Sequence, residues 1–202
     1  MVTKNAIDSN IPIEIAKGGT NATTMATNTG IVKYDGTSLV TSSTALIDSS
    51  NRYTNTSQPA FSAYLSASVA NVTGDGTTYK IAFNSEIFDQ NSNFNTGTFE
   101  FTAPVTGKYL LCGNITTAGF LSGHTDLLIQ LVTSNNNNQQ LVRINPFNTI
   151  AIGNNLAISF SKIVDMDASD VSYINLIVSG STKVVSIVGT SVGSSFTGCL
   201  LC

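Results

Sequence analysis

Charge is what this sequence has least of: Asp, Glu, Lys and Arg make up 10% of its 202 residues, against roughly 25% in an average soluble domain. Its nine basic residues form no cluster and the formal net charge is −3. A nucleic-acid ligand needs Lys and Arg to displace counterions from phosphates, so no nucleic-acid partner is expected. No apolar run approaches the ~20 residues that span a bilayer, which argues against membrane insertion. The opening Met-Val-Thr-Lys-Asn-Ala has no signal-peptide stretch, so the chain is expected to start in a cytoplasm or to have lost an export signal. Three cysteines leave at least one unpaired within a chain and argue against a disulfide framework.

Catalytic and metal-binding constellations are also scarce. Cys112 lies in a strand-like run and reads as a small hydrophobe. Cys199 and Cys202 form C-x-x-C, but odd spacing in a strand sends the two side chains to opposite faces and no second pair exists. The one histidine, His124, has Ser122 and Asp126 beside it. With no Gly-x-Ser-x-Gly it reads as a loop residue whose replacement by alanine would be silent. Asp165, Asp167 and Asp170 lack the glycine and distal glutamate of a calcium loop and read as a turn. The expectation is no enzyme, no metal and no cofactor.

Ser, Thr, Asn and Gly fill the surface positions that charge has vacated, a composition that favours strands and tight turns. Hydrophobic residues still reach 42%, so the chain can build a core. It divides near residue 58. Residues 1–58 hold few aromatics and short apolar runs, with a hairpin read at Ile31-Val32-Lys33-Tyr34, Asp35-Gly36 and Thr37-Ser38-Leu39-Val40. No stretch here buries enough surface alone, and the simplest neighbours are copies of itself in an extended, strand-poor trimeric stem. Residues 59–202 carry about ten short alternating runs: 61–69, 79–88, 98–101, 108–115, 126–132, 141–144, 156–164, 171–178, 184–188 and 196–201. No helical period exceeds two turns. The fold class is all-β, a sandwich of antiparallel strands.

Within residues 59–202 a spaced set stands out: Phe83, Asp89, Phe94, Phe101, Gly107 and Tyr109, with Ala60-Phe61-Ser62-Ala63 before it and Ser195-Phe196-Thr197-Gly198-Cys199-Leu200-Leu201 at the close. In spacing and order this resembles the globular-head domain of the complement C1q and tumour-necrosis-factor type. The aromatics read as core, with Phe99 and Phe101 alternating around Glu100 on one strand. Leu111 and Gly113 stand where that family prefers aromatics, and Cys199 replaces the closing-strand phenylalanine. The stretch from Ile11 through Gly18-Gly19-Thr20 to Thr23 is similar to segments of phage tail fibres and viral fibre proteins.

The resemblance implies a C1q/TNF-like jelly roll that assembles as a homotrimer, with both ends of the head at its base. It therefore implies that the 179–194 connection and the apex segment 145–155 lie at the far end. Asn148, Asn154, Asn155, Thr190 and Ser191 are the candidate binding residues, because recognition concentrates in loops at the exposed end of a rigid scaffold. The apex segment contains no acid, against an inherited calcium site. The function expected is a trimeric fibre head on a virion or phage surface that attaches to a host receptor or glycan. Other virion proteins would contact the N-terminal stem. A capsid-decorating trimer and a bacterial surface adhesin are the alternatives, and the location is the virion surface or the extracellular space.

Overall fold

The computed structural model describes residues 30–37, 39–135, 139–146 and 155–202. The stretch 11–23 lies outside the described residues. The chain divides into two compact units, Met1–Ser57 and Gln58–Cys202. No helix occurs among the described residues, and none is long and apolar enough to cross a membrane.

In the first unit β1 (Gly30–Tyr34), β2 (Leu39–Ile47) and β3 (Tyr53–Asn55) form one antiparallel sheet in that order. The Asp35-Gly36 turn joins β1 to β2, and the Asp35 carboxylate accepts the Thr37 N–H at 2.9 Å. Asp48 organises the next turn. Its Oδ1 accepts the Ser50 and Arg52 N–H groups at 2.8 and 3.0 Å. Its Oδ2 accepts Arg52 Nε at 2.7 Å. The backbone bond from Arg52, then its side chain, holds the Asp48 carboxyl below the usual range.

The second unit is a two-sheet sandwich. Its strands are β4 (Ala60–Tyr64), β5 (Val69–Thr73), β6 (Thr78–Lys80), β7 (Ser85–Gln90), β8 (Phe94–Asn95), β9 (Glu100–Thr102), β10 (Gly107–Ala118), β11 (Asp126–Thr133), β12 (Gln139–Ile144), β13 (Asn155–Met166), β14 (Val171–Ser179), β15 (Val185–Ile187) and β16 (Ser195–Leu200). One sheet runs β5-β15-β10-β16-β4-β7, with β13 along the other edge of β10. The second runs β12-β11-β14-β9-β8, with β6 also paired to β14. Alternation along β11 and β14 buries Leu127, Ile129, Leu131, Ile174, Leu176 and Val178 completely, as strands with one face on a core require. Across the gap, Phe61 of the first sheet stacks on Phe94 and Phe101 of the second with ring centroids 5.2 and 4.6 Å apart. Phe196 meets Phe61 edge-on at 5.1 Å.

Five of the six members of the spaced set have a visible physical task. Phe83, Phe101 and Tyr109 are fully buried and Phe94 nearly so. Asp89 is not core. Its carboxylate accepts the Asn93 and Phe94 N–H groups at 3.1 and 2.9 Å and closes the turn that delivers Phe94 inward. The Tyr109 hydroxyl donates to the Val105 carbonyl at 2.7 Å and ties the turn after Pro104 to the strand that leaves it.

Several boundaries differ from the sequence reading. The run 61–69 breaks into β4 and β5, because the chain turns at 65–68, where Leu65 N–H donates to the Ser194 carbonyl and Ser66 N–H to Asn84 Oδ1. The run 79–88 splits into β6 and β7, which belong to different sheets. Phe99 does not alternate with Phe101 on one strand. It sits in a turn at φ 62°, its N–H held by the Asn95 carbonyl at 2.6 Å, and Phe94 is the residue opposite Phe101.

The missing aromatic at position 113 is supplied from elsewhere. Gly113 on β10 lies between Phe160 of β13 and Phe196 of β16, and both rings are buried. A Cβ at Gly113 would sit 2.4 Å from Phe160 Cζ and 2.8 Å from the Ser195 carbonyl oxygen. The ring can swing but the carbonyl cannot, so Gly113→Ala is expected to cost about 1–3 kcal/mol through overpacking. Phe160→Leu should recover part of that loss, a coupling that urea midpoints of the two single variants and the double variant would read. Strict additivity would show that the ring does not lean on Gly113.

Candidate functional site

Strand β10 is the ruler of the head. At its start, Tyr109 pairs with Leu200 of β16, Lys108 N–H donates to the Cys202 carbonyl at 2.8 Å and Leu200 N–H to the Pro59 carbonyl at 3.0 Å. Entry and exit of the unit therefore share one end. At the other end Ala118 pairs with Asn155 of β13 and, on its opposite edge, with Ser186 of β15. The 190–194 turn, between β15 and β16, lies beside the same half of β10: Asn114 Nδ2 and Thr116 Oγ1 donate to the Gly193 carbonyl at 2.9 and 2.7 Å. Asn155, Thr190 and Ser191 are exposed, and they flank this half of β10 from opposite edges. Asn148 and Asn154 lie outside the described residues.

His124 lies in the loop between β10 and β11, as the sequence suggests, but it is fully buried there. Its Nδ1 accepts the Leu121 N–H at 2.8 Å, and Nε2 lies 3.0 Å from the Thr182 carbonyl oxygen. A backbone N–H only donates and a carbonyl only accepts, so the ring is neutral with its proton on Nε2. Phe120 meets it edge-on at 6.0 Å. Gly74 closes the third side: at φ 138°, a Cβ there would strike the Thr182 carbonyl oxygen and stand 2.8 Å from Nε2. The Ser181 N–H donates back to the Gly74 carbonyl at 3.1 Å. One imidazole thus pins three connections: β5–β6, β10–β11 and β14–β15.

This arrangement is not a hydrolytic triad. Both ring nitrogens face backbone, and the Asp126 carboxylate is engaged by Arg143, with Nε to Oδ1 at 2.9 Å and Nη2 to Oδ2 at 3.2 Å. The other acids are equally committed. Asp165 pairs with Lys108, while the Asp170 carboxylate accepts the Asp167 N–H at 2.8 Å and the Ser134 hydroxyl at 2.6 Å. Asp165 lies in β13, and the stretch 167–170 that follows the strand is a turn in which the Asp170 N–H donates to the Asp167 carbonyl at 3.0 Å.

A feature absent from the sequence reading lies on the outer face of the β10 sheet. Registers across β4, β16, β10 and β13 place Ala60, Cys199, Leu110 and Ile163 in one row. In the next row Phe88, Ser62, Thr197, Cys112 and Ser161 stand side by side. Between these strands opens a shallow crevice of about 230 Å³, lined by Ala60, Phe61, Phe88, Leu110, Cys112 and Cys199 among others. Phe88 and Ile163 are 52% and 59% exposed. Burial, and then the neighbouring Cys199, pushes the Cys112 thiol up, which keeps it protonated and apolar. No charged side chain lines the crevice. The signal in the sequence was only that alternate residues of four strands are apolar on both faces.

Comparison with solved structures places this architecture. The globular domain of zebrafish complement 1qA protein is 18% identical, with 71% of this chain and 98% of that chain covered at a TM-score of 0.50. Murine APRIL at pH 8.0 is 9% identical, with 71% and 99% covered at a TM-score of 0.51. Eiger TNF from S. frugiperda is 13% identical, with 72% and 93% covered at a TM-score of 0.49. The fold is the C1q/TNF jelly roll. No protein-family model and no curated protein matches the sequence. Within the jelly roll, Phe61, Phe101, Tyr109 and Phe196 form the interior, whereas the outer crevice, Thr190 and Ser191 lie at the surface.

Proposed function

We propose that the jelly roll is the head of a homotrimer that binds a receptor or glycan through the end away from Pro59, as the knob of a fibre on a virus or phage particle. The outer crevice carries the assembly part of this reading. A strip of Phe88, Ala60, Cys199, Leu110 and Ile163 with no charge in it is suited to another protein surface, not to water. Its central recess beside protruding residues at both edges suits a head-to-tail ring of identical copies. Such obligate interfaces often exceed ~2,000 Å².

The binding part rests on the far-end loops. Exposed amides and hydroxyls at Asn155, Thr190 and Ser191 offer donors and acceptors matched to sugar hydroxyls. Three copies multiply a weak contact by avidity. The virion setting is supported by the likeness of residues 11–23 to fibre segments.

Light scattering is expected to give three times the 21.2 kDa chain mass, and Leu110→Glu a folded protein that falls to the single mass on dilution. A wild-type monomer would overturn the assembly. Replacing Asn148, Asn154 and Asn155 by alanine should leave mass and melting temperature intact while attachment to host cells or glycan arrays weakens. Attachment that survives this change, and also a scrambled 190–194 turn, moves recognition to the sides of the trimer. A trimer that binds no cell or glycan favours the capsid-decorating alternative.

A further inference from the structure

The described part of the first unit has strands but no core. Every buried hydrophobic residue among those described lies at or beyond Phe61, and none of the described residues from 30 to 57 is buried. Yet the sheet carries large apolar side chains in the open: Ile31 at 39%, Val32 at 43%, Tyr34 at 63%, Ile47 at 47% and Tyr53 at 60% exposed. Ile31 and Val32 are consecutive in β1, so they point to opposite faces. Ile47 and Tyr53 stand directly opposite each other on β2 and β3. Both faces of the sheet are therefore apolar and wet, and three short strands without a covered face do not hold together in water.

We infer that residues 30–57 are a self-association element, whose core forms only when the equivalent sheets of separate copies stack on both faces. Electrostatics permits the stacking. The segment holds Lys33 and Arg52 against Asp35 and Asp48, two charges of each sign and a net of zero. Asp48 and Arg52 neutralise each other at the turn. Like copies do not repel, and a strongly charged partner has nothing here to read. One covering layer would leave the other face exposed, so two neighbours per sheet are required, as in an assembly of at least three chains. The element is independent of the outer crevice on the jelly roll and gives the chain a second point of assembly.

The test is hydrogen exchange of the full-length protein over a roughly hundredfold range of concentration, because an element that folds by association gains stability by mass action. Amides of residues 41–47 are expected to slow by about tenfold or more as concentration rises. Val32→Glu and Ile47→Glu should each abolish that change while the melting of the jelly roll is unaltered. Leu110→Glu, which disrupts the crevice, should leave it present at high concentration. Protection that is the same at every concentration would overturn the inference and show that the sheet is covered by its own chain. Loss of protection in Leu110→Glu at all concentrations would overturn it too, since the sheet would then not associate unaided. A jelly roll that stays monomeric while residues 41–47 still respond to concentration separates this inference from the trimer of heads.

Discussion

Phe101→Ala is expected to destabilise the jelly roll by about 3–5 kcal/mol and to remove most of the soluble protein. Phe101 is fully buried, stacks on Phe61 at 4.6 Å and leans on Tyr109 at 5.5 Å. Phe61 belongs to one sheet and Phe101 to the other, so the lost ring removes one of the stacked contacts that hold the sheets face to face. A domain of this size has roughly 5–15 kcal/mol in hand, and one such cavity consumes a large share of it. Tyr109→Ala should be as damaging, because it also strips the Val105 carbonyl of its hydroxyl partner. Thermal melting decides: a midpoint within a few degrees of the wild type would show that these rings are not the core.

His124→Ala is expected to cost about 1–3 kcal/mol, because it strips the Leu121 N–H of its acceptor and empties the space of a buried ring. The Leu121 N–H loses its acceptor, while the Thr182 carbonyl loses the imidazole but keeps the Val184 N–H at 2.9 Å. Exchange of amides 74–76, 121–125 and 180–184 should rise together, since the three connections share one pin. The 190–194 turn should stay protected, for it is held by Asn114 and Thr116 instead. An unchanged melting curve would return His124 to the role of bystander that its lone position in the sequence suggests.

That contrast marks what the sequence could and could not disclose. Phe83, Phe94, Phe101 and Tyr109 were legible because their spacing resembles that of the C1q-type head, and on β9 and β10 alternation also marks Phe101 and Tyr109 as inward. The break at 65–68 was not, since Leu65 stays buried after the strand has ended and the apolar pattern runs on without it. Phe99 was misread because nothing in composition announces a left-handed backbone at a phenylalanine. Gly113 looked like a thinning of the core, and the ring that fills it arrives from β13 only through the register of Phe160. The crevice has the same origin: Ala60, Leu110, Ile163 and Cys199 are far apart in the chain, and strand pairing alone makes them neighbours. His124 was hidden for a different reason. A residue's hydrogen bonds to backbone leave no trace in a pattern of side chains.

The arrangement of β4 and β16 has a mechanical consequence. A tether enters at Pro59, ahead of β4, and the 190–194 turn precedes β16 at the opposite end of the antiparallel pair. A load applied between a tether and that turn would draw the two strands past each other lengthwise. The register pairs from Ala60–Cys199 to Tyr64–Ser195 would then bear force together, in shear, and would not open one after another like a zip. Traction along this axis meets the sandwich in its stiff direction. The same force applied between Pro59 and Cys202, which lie side by side, would peel the sheet from its edge.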